Sequence, residues 1–297
     1  MHSIIPLDLN FLDLKKAIAA YLIPYNSGAV LVESGPGSTQ EELTLQLKQH
    51  GIEPRDVTHV LITHIHLDHA GAAGWLAGIG AQIFVHPVGE PHLKNPEKLL
   101  ASAKRIYGEK MDLLWGKFLP VPGEKLFAVR DQEQVIAGDL TFTALYTPGH
   151  AEHHISWLFE DTCFTGDVGG VRLPGSSYIR LPLVPPELHF EKWRQSLVRL
   201  EEIGFRDIAP THFGIFHDAS EHLKLARRIL DENEQWMDNV LVKDLSIESL
   251  REQYVGFIND QGKNSGVGED GLKIYEIANP TWMGAEGIQR YWNKYRQ

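Results

Sequence analysis

Thr63-His64-Ile65-His66-Leu67-Asp68-His69 contains four potential metal ligands within six positions. The apolar run 57–62 precedes this stretch, and the small-residue segment Ala70-Gly71-Ala72-Ala73-Gly74 follows it. A β-branched run followed by polar side chains and then by small helix formers indicates a strand, a loop and the start of a helix. The ligands therefore follow the carboxyl end of a strand, which is where α/β sheets place their sites.

The spacing of these ligands allows this one stretch to contribute to two adjacent metal ions. His64 and His66 are two positions apart, so both imidazoles project to the same side of an extended backbone. Asp68 and His69 follow where the chain turns into the helix, and this turn can aim them at a second point nearby. Clustered His and Asp side chains require a partner when they are buried, and a metal ion is such a partner.

Composition limits the class of protein. With 297 residues and 43% hydrophobic content, the chain is long enough for one large α/β domain, or for one domain and an appendage. The net charge is -11 and the basic residues are scattered, so we expect no binding to nucleic acid. The single cysteine, Cys163, excludes an internal disulfide and fits a reducing compartment. Since no signal sequence or membrane-length segment is visible, we expect a cytoplasmic protein without membrane association.

Apolar patterns predict strands and helices through the first two thirds of the chain and helices after that. The strands are predicted at 17–23, 28–33, 57–63, 81–85, 140–146, 155–159, 162–165 and 206–210, with a turn at 24–27. The helices are predicted at 40–50, 96–115, 187–203, 220–242 and 247–258. Residues 168–186 hold many glycines and prolines and are expected to form a long loop near the site, as a lid or substrate wall. We therefore predict a catalytic domain at 1–217 and a helical appendage at 218–297.

Three later segments each place a candidate ligand directly after a predicted strand. They are Thr147-Pro148-Gly149-His150, Gly166-Asp167 and Thr211-His212. His217 is a rival of His212, which we prefer because it directly follows a strand end. Together with the first stretch, the candidate ligands are His64, His66, Asp68, His69, His150, Asp167 and His212.

The combined pattern of His-x-His-x-Asp-His, Thr-Pro-Gly-His, Thr-Gly-Asp and a late histidine resembles the metallo-β-lactamase-fold superfamily, particularly its glyoxalase II-like hydrolase branch. The resemblance covers residues 17–215. It implies an α/β chain folded as a four-layer αββα sandwich, here with a C-terminal helical appendage. It also implies that one metal is held by His64, His66 and His150, the other by Asp68, His69 and His212, with Asp167 as a bridge. These ligands suit Zn²⁺ best and are compatible with Fe or Mn.

The implied chemistry is hydrolysis of a small molecule. Two dications roughly 3.5–4 Å apart can share a hydroxide at neutral pH, and this hydroxide would attack a carbonyl or phosphoryl centre. Asp68 could also orient the nucleophile and pass a proton to the leaving group. We therefore predict a dinuclear metallohydrolase acting on a small ester, thioester or lactone. The alternatives are a mononuclear iron sulfur dioxygenase acting on a persulfide, a phosphodiesterase of the same fold, and a non-catalytic metal-binding protein.

Departures from the family pattern bear on the substrate. Val168-Gly169-Gly170 replaces the Cys-Gly-Arg common in glyoxalase II enzymes, which argues against glutathione thioesters. Gly170 also stands where many acyl-homoserine lactonases carry a tyrosine. Glu33 occupies the position of an aspartate in many relatives, and it either supports a ligand from behind or is a solvated residue.

Side chains outside the ligand set are candidates for binding substrate or a second subunit. Tyr178, Arg172 and Arg180 could bind a substrate carboxylate or phosphate, and Phe213 could form a wall of the pocket; core packing or a solvated loop is the alternative for each. The aromatic residues of the C-terminal tail either pack on the main domain or form the contact of a homodimer; they are Trp282, Tyr291, Trp292 and Tyr295.

Overall fold

The structure, a computed structural model, describes residues 2–243 and 245–297. The chain divides into two units, one made of Met1–Tyr146 with Ile155–Phe164 and the other of Thr147–His154 with Thr165–Gln297. The predicted boundary between a catalytic domain and an appendage at residue 217 rests on the change from strands to helices, and it stays a prediction.

Six strands of the first unit form one sheet in the order in which they occur along the chain. They are β1 (Ile5–Asp8), β2 (Ala19–Tyr25), β3 (Gly28–Val32), β4 (Val57–Leu61), β5 (Gln82–Val85) and β6 (Leu126–Ala128). β1, β2 and β3 pair antiparallel, whereas β3 to β6 pair parallel. Because parallel strands end at the same edge of a sheet, Glu33 after β3 and the ligand stretch after β4 lie at one edge.

The turn predicted at 24–27 is shorter than expected. β2 continues through Pro24 to Tyr25, and Pro24 pairs with Ala29 of β3. On the other side, the ladder with β1 ends at the pair Ile5 and Leu22. Pro24 therefore lies beyond the reach of β1, and its missing N–H leaves no ladder hydrogen bond unmade.

A second sheet of the first unit pairs antiparallel in the order β10-β9-β8-β7. The strands are β7 (Gln134–Ala137), β8 (Leu140–Tyr146), β9 (Ile155–Phe159) and β10 (Thr162–Phe164). Leu140, Phe142 and Ala144 of β8 are buried while Thr141 is exposed, which is the alternation that the sequence predicts for this strand. Cys163 in β10 is fully buried, and burial raises the pKa of its thiol, so it is a core residue.

The helices of the first unit are α1 (Gln40–Gln49), α2 (Leu67–Ala70), α3 (Ala73–Gly78), α4 (Glu90–Lys94), α5 (Glu97–Tyr107) and α6 (Met111–Trp115). α1 buries Leu43 and Leu47, which lie four positions apart on one face. The small residues after the ligand stretch serve close packing. A Cβ atom at Gly74 would lie 2.0 Å from the carbonyl oxygen of Leu119, so only glycine fits there.

The second unit is mainly helical. It contains α7 (Phe190–Ile203), β11 (Asp207–Ala209), α8 (Ala219–Leu241), α9 (Ile247–Asn264), α10 (Glu269–Ala278) and α11 (Thr281–Tyr295). The predicted loop at 168–186 lacks helices and regular strands, apart from the end of a 3₁₀ turn at Gly166–Gly169 and an isolated bridge between Val171 and Arg180. Within residues 2–243 and 245–297, no helix combines the length and the apolar character that are needed to cross a membrane.

Candidate metal centre

The four candidate ligands of the first unit follow β4 and enter α2. His64 is fully buried, His66 stands directly before α2, and Asp68 and His69 lie in its first turn. Nε2 of His64 lies 2.9 Å from Nδ1 of His66, and Nε2 of His69 lies 3.6 Å from Oδ2 of Asp68. The rings of His64 and His69 have centroids only 4.0 Å apart. The local fold of this stretch therefore gathers its nitrogen and carboxylate groups in a small volume.

Glu33 orients two of these histidines from behind. Its Oε1 accepts hydrogen bonds from Oγ1 of Thr63 (2.6 Å) and Nδ1 of His69 (2.8 Å). Since the Thr63 hydroxyl gives its proton to Glu33, it accepts in turn from Nδ1 of His64 at 3.0 Å. Both histidines thus carry a proton on Nδ1 and keep a lone pair on Nε2 for a metal. Glu33 has no solvent exposure, so of its two alternatives the supporting role is the one that the structure shows.

The second unit brings together the three later candidates. His150, Asp167 and His212 are all buried, with Asp167 in the 3₁₀ turn that follows β10. Nε2 of His150 lies 3.2 Å from Oδ2 of Asp167, and Nε2 of His212 lies 3.3 Å from Oδ1 of the same carboxylate. Each oxygen of Asp167 therefore faces one imidazole.

The protonation of His150 tests whether these residues fit a cation. Its Nδ1 lies 2.7 Å from the carbonyl oxygen of Pro182, and because a carbonyl can only accept, Nδ1 donates. The lone pair of Nε2 then faces a carboxylate oxygen of Asp167. Two buried lone pairs at this distance repel each other unless a proton or a cation lies between them. Imidazole nitrogens with a carboxylate are ligands that divalent zinc, iron and manganese accept, so the residues fit such a metal.

The seven ligand atoms form two groups, and within each group all atoms lie within 4.8 Å of one another. Three or four ligands are enough to hold a divalent metal ion. The resemblance assigns these same seven residues to two metals, with Asp167 as a bridge; that assignment and the identity of the metal stay predictions. One group contains His64, His66, His150 and Asp167, and the other contains Asp68, His69 and His212.

Asp68, the predicted catalytic residue, is partly accessible, with 19% of its side chain exposed. Tyr107 of α5 lies close enough to Asp68 for the carboxylate charge to affect its pKa. Burial is the main cause, and the charge of the Asp68 carboxylate the second cause, that raises the pKa of the Tyr107 hydroxyl. The hydroxyl therefore stays protonated at neutral pH. Nothing in the sequence indicates the proximity of Tyr107 to Asp68.

Arg172 and Phe213, two of the predicted substrate-binding residues, have structural contacts in the second unit. The Arg172 guanidinium donates to both carboxylate oxygens of Asp218, at 2.7 and 2.8 Å. Its backbone N–H donates to the carbonyl of His212 at 2.6 Å, and the N–H of Phe213 donates back to the Arg172 carbonyl at 3.2 Å. Arg172 therefore holds the chain segment that carries His212, and its role in substrate binding stays a prediction.

Arg180 and Tyr178 are also buried, each with 2% exposure. Nη1 of Arg180 donates to Oε2 of Glu276 at 3.1 Å, and the Tyr178 hydroxyl donates to the carbonyl of Ile258 at 3.4 Å. Both side chains thus contact the C-terminal helices. Their predicted contact with substrate is untested and stays a prediction.

His217 and His222 are two histidines that lie outside the two groups of candidate ligands. His217, the rival of His212, has 77% of its side chain exposed and pairs with Asp207 at 2.8 Å. His222 was not predicted to be near the site; it is buried on α8, and its Nε2 donates to the carbonyl of Gly169 at 2.7 Å. The one available signal for His222 was a histidine placed beside the apolar stripe of a predicted helix.

The chain is similar to known proteins in sequence and in fold. The model of the metallo-beta-lactamase superfamily matches residues 16–212. A metallo-beta-lactamase fold-containing protein from Sulfurisphaera tokodaii is 29% identical over 201 residues, which are 66% of this chain and 74% of that protein. A crystal structure of an archaeal metallo-beta-lactamase superfamily protein from Sulfolobus tokodaii has a TM-score of 0.67 at 18% identity, and the match covers 97% of this chain and 99% of that one. At this identity the likeness shows the fold alone.

Two further relatives have names that state an activity. An atrochrysone carboxyl ACP thioesterase from Aspergillus fumigatus is 26% identical over 208 residues, which are 69% of this chain and 53% of that protein. An N-acyl homoserine lactonase from Agrobacterium fabrum is 30% identical over 146 residues, which are 46% of this chain and 44% of that protein. This chain thus spans about half the length of each of these two relatives.

The comparisons confirm the predicted fold class, an α/β metallo-β-lactamase fold with C-terminal helices. The glyoxalase II-like branch stays a prediction. Since the family model covers about two thirds of the sequence and includes all seven candidate ligands, this chain belongs to the metallo-β-lactamase superfamily.

Proposed function

We propose that the protein is a metal-dependent hydrolase that uses two divalent ions to cleave a small ester, thioester or lactone. Zinc is the metal that we propose first. The observation that carries this proposal is the pair of ligand groups, each with its donor atoms within 4.8 Å. One ion alone would leave one of the two groups unused. Buried groups of this kind are rarely retained without a role.

The choice of bond is supported by the names of relatives. One is a carboxyl ACP thioesterase and another is an N-acyl homoserine lactonase. A thioester and a lactone share an acyl carbonyl whose leaving group is a sulfur or an oxygen. The net charge of -11 favours a small-molecule substrate over a nucleic acid.

The residues of the chain divide the work of such a reaction. The two ligand groups would hold the ions, which supply Lewis acidity and a water whose pKa is lowered to about 7 when zinc is bound. Glu33 and Pro182 keep the proton of their histidine partners on Nδ1, so that Nε2 stays available. Asp68, with its partly exposed carboxylate, can take a proton from the nucleophile and return it to the leaving group.

Metal analysis with an activity panel tests the proposal. We expect about two ions per chain in protein purified without chelator, and turnover of an ester, thioester or lactone. Asp68→Asn should lower kcat/KM about 100-fold or more, whereas Asp139→Asn at an exposed position should leave it unchanged.

Several results would contradict this proposal. A firm value of one ion per chain that added metal does not change would rule out the two-metal scheme. Oxygen uptake with a glutathione persulfide would favour the dioxygenase alternative. Faster turnover of bis-p-nitrophenyl phosphate than of any acyl substrate would favour a phosphodiesterase.

A further inference from the structure

The segment 180–184 of the second unit contacts His150. The carbonyl of Pro182 accepts the Nδ1 proton of His150 at 2.7 Å, and the same carbonyl accepts from the N–H of Val184 at 2.9 Å. The neighbouring carbonyl of Leu181 accepts from the N–H of Leu183 at 3.0 Å. The direction of the Pro182 carbonyl, and with it the orientation of the imidazole, therefore depends on how this tight turn is held.

The C-terminal helices hold the turn from the other side. Asn279 follows the last residue of α10, is 5% exposed, and donates from Nδ2 to the carbonyl of Leu181 at 3.1 Å. Arg180, directly before Leu181, donates to Glu276 of α10 at 3.1 Å. The backbone of Arg180 is fixed as well, since it exchanges two hydrogen bonds with Val171 at 2.8 and 2.9 Å. The position of Leu181 is thus set by contacts that begin on α10.

Asn279 is the contact in this series that acts on the turn itself. Its amide reaches the carbonyl of Leu181, which belongs to the peptide unit adjoining Pro182. Without the amide donor, the Leu181 carbonyl would keep its 3.0 Å hydrogen bond from the N–H of Leu183 but would lose its partner on the helix side. The peptide unit could then rotate, and the Pro182 carbonyl would no longer be fixed opposite Nδ1 of His150.

We infer that Asn279 is a positioning residue for the metal centre, because it fixes the turn whose Pro182 carbonyl turns Nε2 of His150 towards Asp167. The inference rests on the proposed function in one respect, that His150 is a metal ligand. Partners behind a ligand that set its tautomer and direction commonly change metal affinity by about 10- to 100-fold when they are replaced. Asn279 acts through one intervening peptide, so the lower end of that range is expected.

The experiment compares Asn279→Leu with Asn233→Leu in the full chain. Asn233 is a matched control because it is also a buried amide of the second unit that donates to a backbone carbonyl, that of Ile229 at 2.8 Å. Zinc affinity is measured by competition with a chelator, and the visible absorption of the Co²⁺-loaded proteins is recorded. Asn279→Leu should weaken zinc binding about tenfold and alter the Co²⁺ spectrum. Asn233→Leu should lower thermal stability and leave both readouts unchanged.

Asn279→Asp provides a second variant of almost the same shape, in case the leucine variant does not fold. Its carboxylate cannot donate to the Leu181 carbonyl and should weaken zinc binding at least as much. The inference is overturned if the Asn279 variants bind zinc as Asn233→Leu does while the wild type binds it. If the wild type binds no metal, the proposed function fails and the inference fails with it, so the two failures can be told apart.

Discussion

At the scale of single residues, Glu33 combines two costs that point to a role at the site. It is a fully buried carboxylate, and its backbone has a φ of 69°, in the left-handed region that side chains other than glycine rarely adopt. The charge is stabilised by hydrogen bonds from Thr63 and His69. Strained and buried positions of this kind are concentrated at functional sites. Here the role is to fix the proton of His69 directly and that of His64 through Thr63.

His222 allows a prediction about the pH dependence of stability. Burial, partly opposed by the hydrogen bond to Gly169 and assisted by the charge of Arg172, lowers the pKa of His222 from 6.5 to about 4. When the pH falls below 6.5, the unfolded chain binds a proton at this residue and the folded chain does not. The contribution of His222 to stability is therefore complete above pH 6.5. It decreases between pH 6.5 and about 4, in total by about 3 kcal/mol at roughly 1.4 kcal/mol per pH unit.

The His222→Gln variant isolates this contribution. Glutamine cannot titrate in this range and keeps an N–H that can donate to the Gly169 carbonyl. Urea unfolding at pH 7, 5.5 and 4.5 should show a smaller loss of unfolding free energy in the variant than in the wild type. Between pH 7 and 8 the two proteins should change in parallel. Equal losses at low pH would contradict the assignment to His222.

At the scale of elements, the accuracy of the sequence prediction follows the length and regularity of the pattern. The predicted strand 140–146 coincides with β8, because apolar residues alternate with threonines from Leu140 to Ala144. The short strands β1, β6 and β7 are not predicted, whereas the equally short β5, β10 and β11 are predicted from apolar runs beside turn residues. The predicted helix 96–115 is broken at Gly108, whose φ of 56° ends α5.

Two helix glycines lead to opposite predictions for the same substitution. Gly256 lies inside α9, and a Cβ atom there would have nothing within 4 Å, so Gly256→Ala should raise the unfolding free energy by about 0.5–1 kcal/mol. Gly287 lies inside α11, where a Cβ atom would be 1.9 Å from the carbonyl oxygen of Leu183. Gly287→Ala should lower the unfolding free energy by about 1–3 kcal/mol, because a backbone group must move.

Thermal unfolding of both variants checks this pair, with each serving as the control of the other. The Tm should rise for Gly256→Ala and fall for Gly287→Ala. A stabilised Gly287→Ala would show that α11 does not pack against Leu183 as closely as the structure has it.

At the scale of the whole molecule, the candidate ligands can be selected from the sequence, while the residues that hydrogen-bond to them cannot. The seven candidates each follow a predicted strand, so local pattern and sheet topology were enough to select them. Asn279 lies 129 positions after His150 in the sequence, and its relation to the site depends on the packing of α10 against the segment at 180–184. No local pattern encodes such a contact. The sequence likewise leaves open whether Glu33 supports a ligand or is solvated, and its burial decides for the supporting role.

The spread of the ligands along the sequence leads to the last prediction. Candidates from His64 to His212 can meet only in the folded chain, so metal ions should bind the folded state and barely bind the unfolded one. An ion at a free concentration of 100 Kd then adds about 2.7 kcal/mol to the unfolding free energy. This amounts to roughly 4 °C in Tm per ion for a chain of this size. Chelator-treated protein should therefore gain at least that much when zinc is restored.

Asp167→Asn should lose most of this gain, because Asp167 is the carboxylate that faces both His150 and His212. Asp260→Asn, at an exposed position of α9, should keep the gain and so controls for the change of charge. The measurement is a thermal unfolding scan of each protein with and without added zinc. A wild-type Tm that zinc does not change would mean that the buried histidines and carboxylates are stabilised by one another, because ligands that do bind an ion must shift the folding equilibrium by mass action.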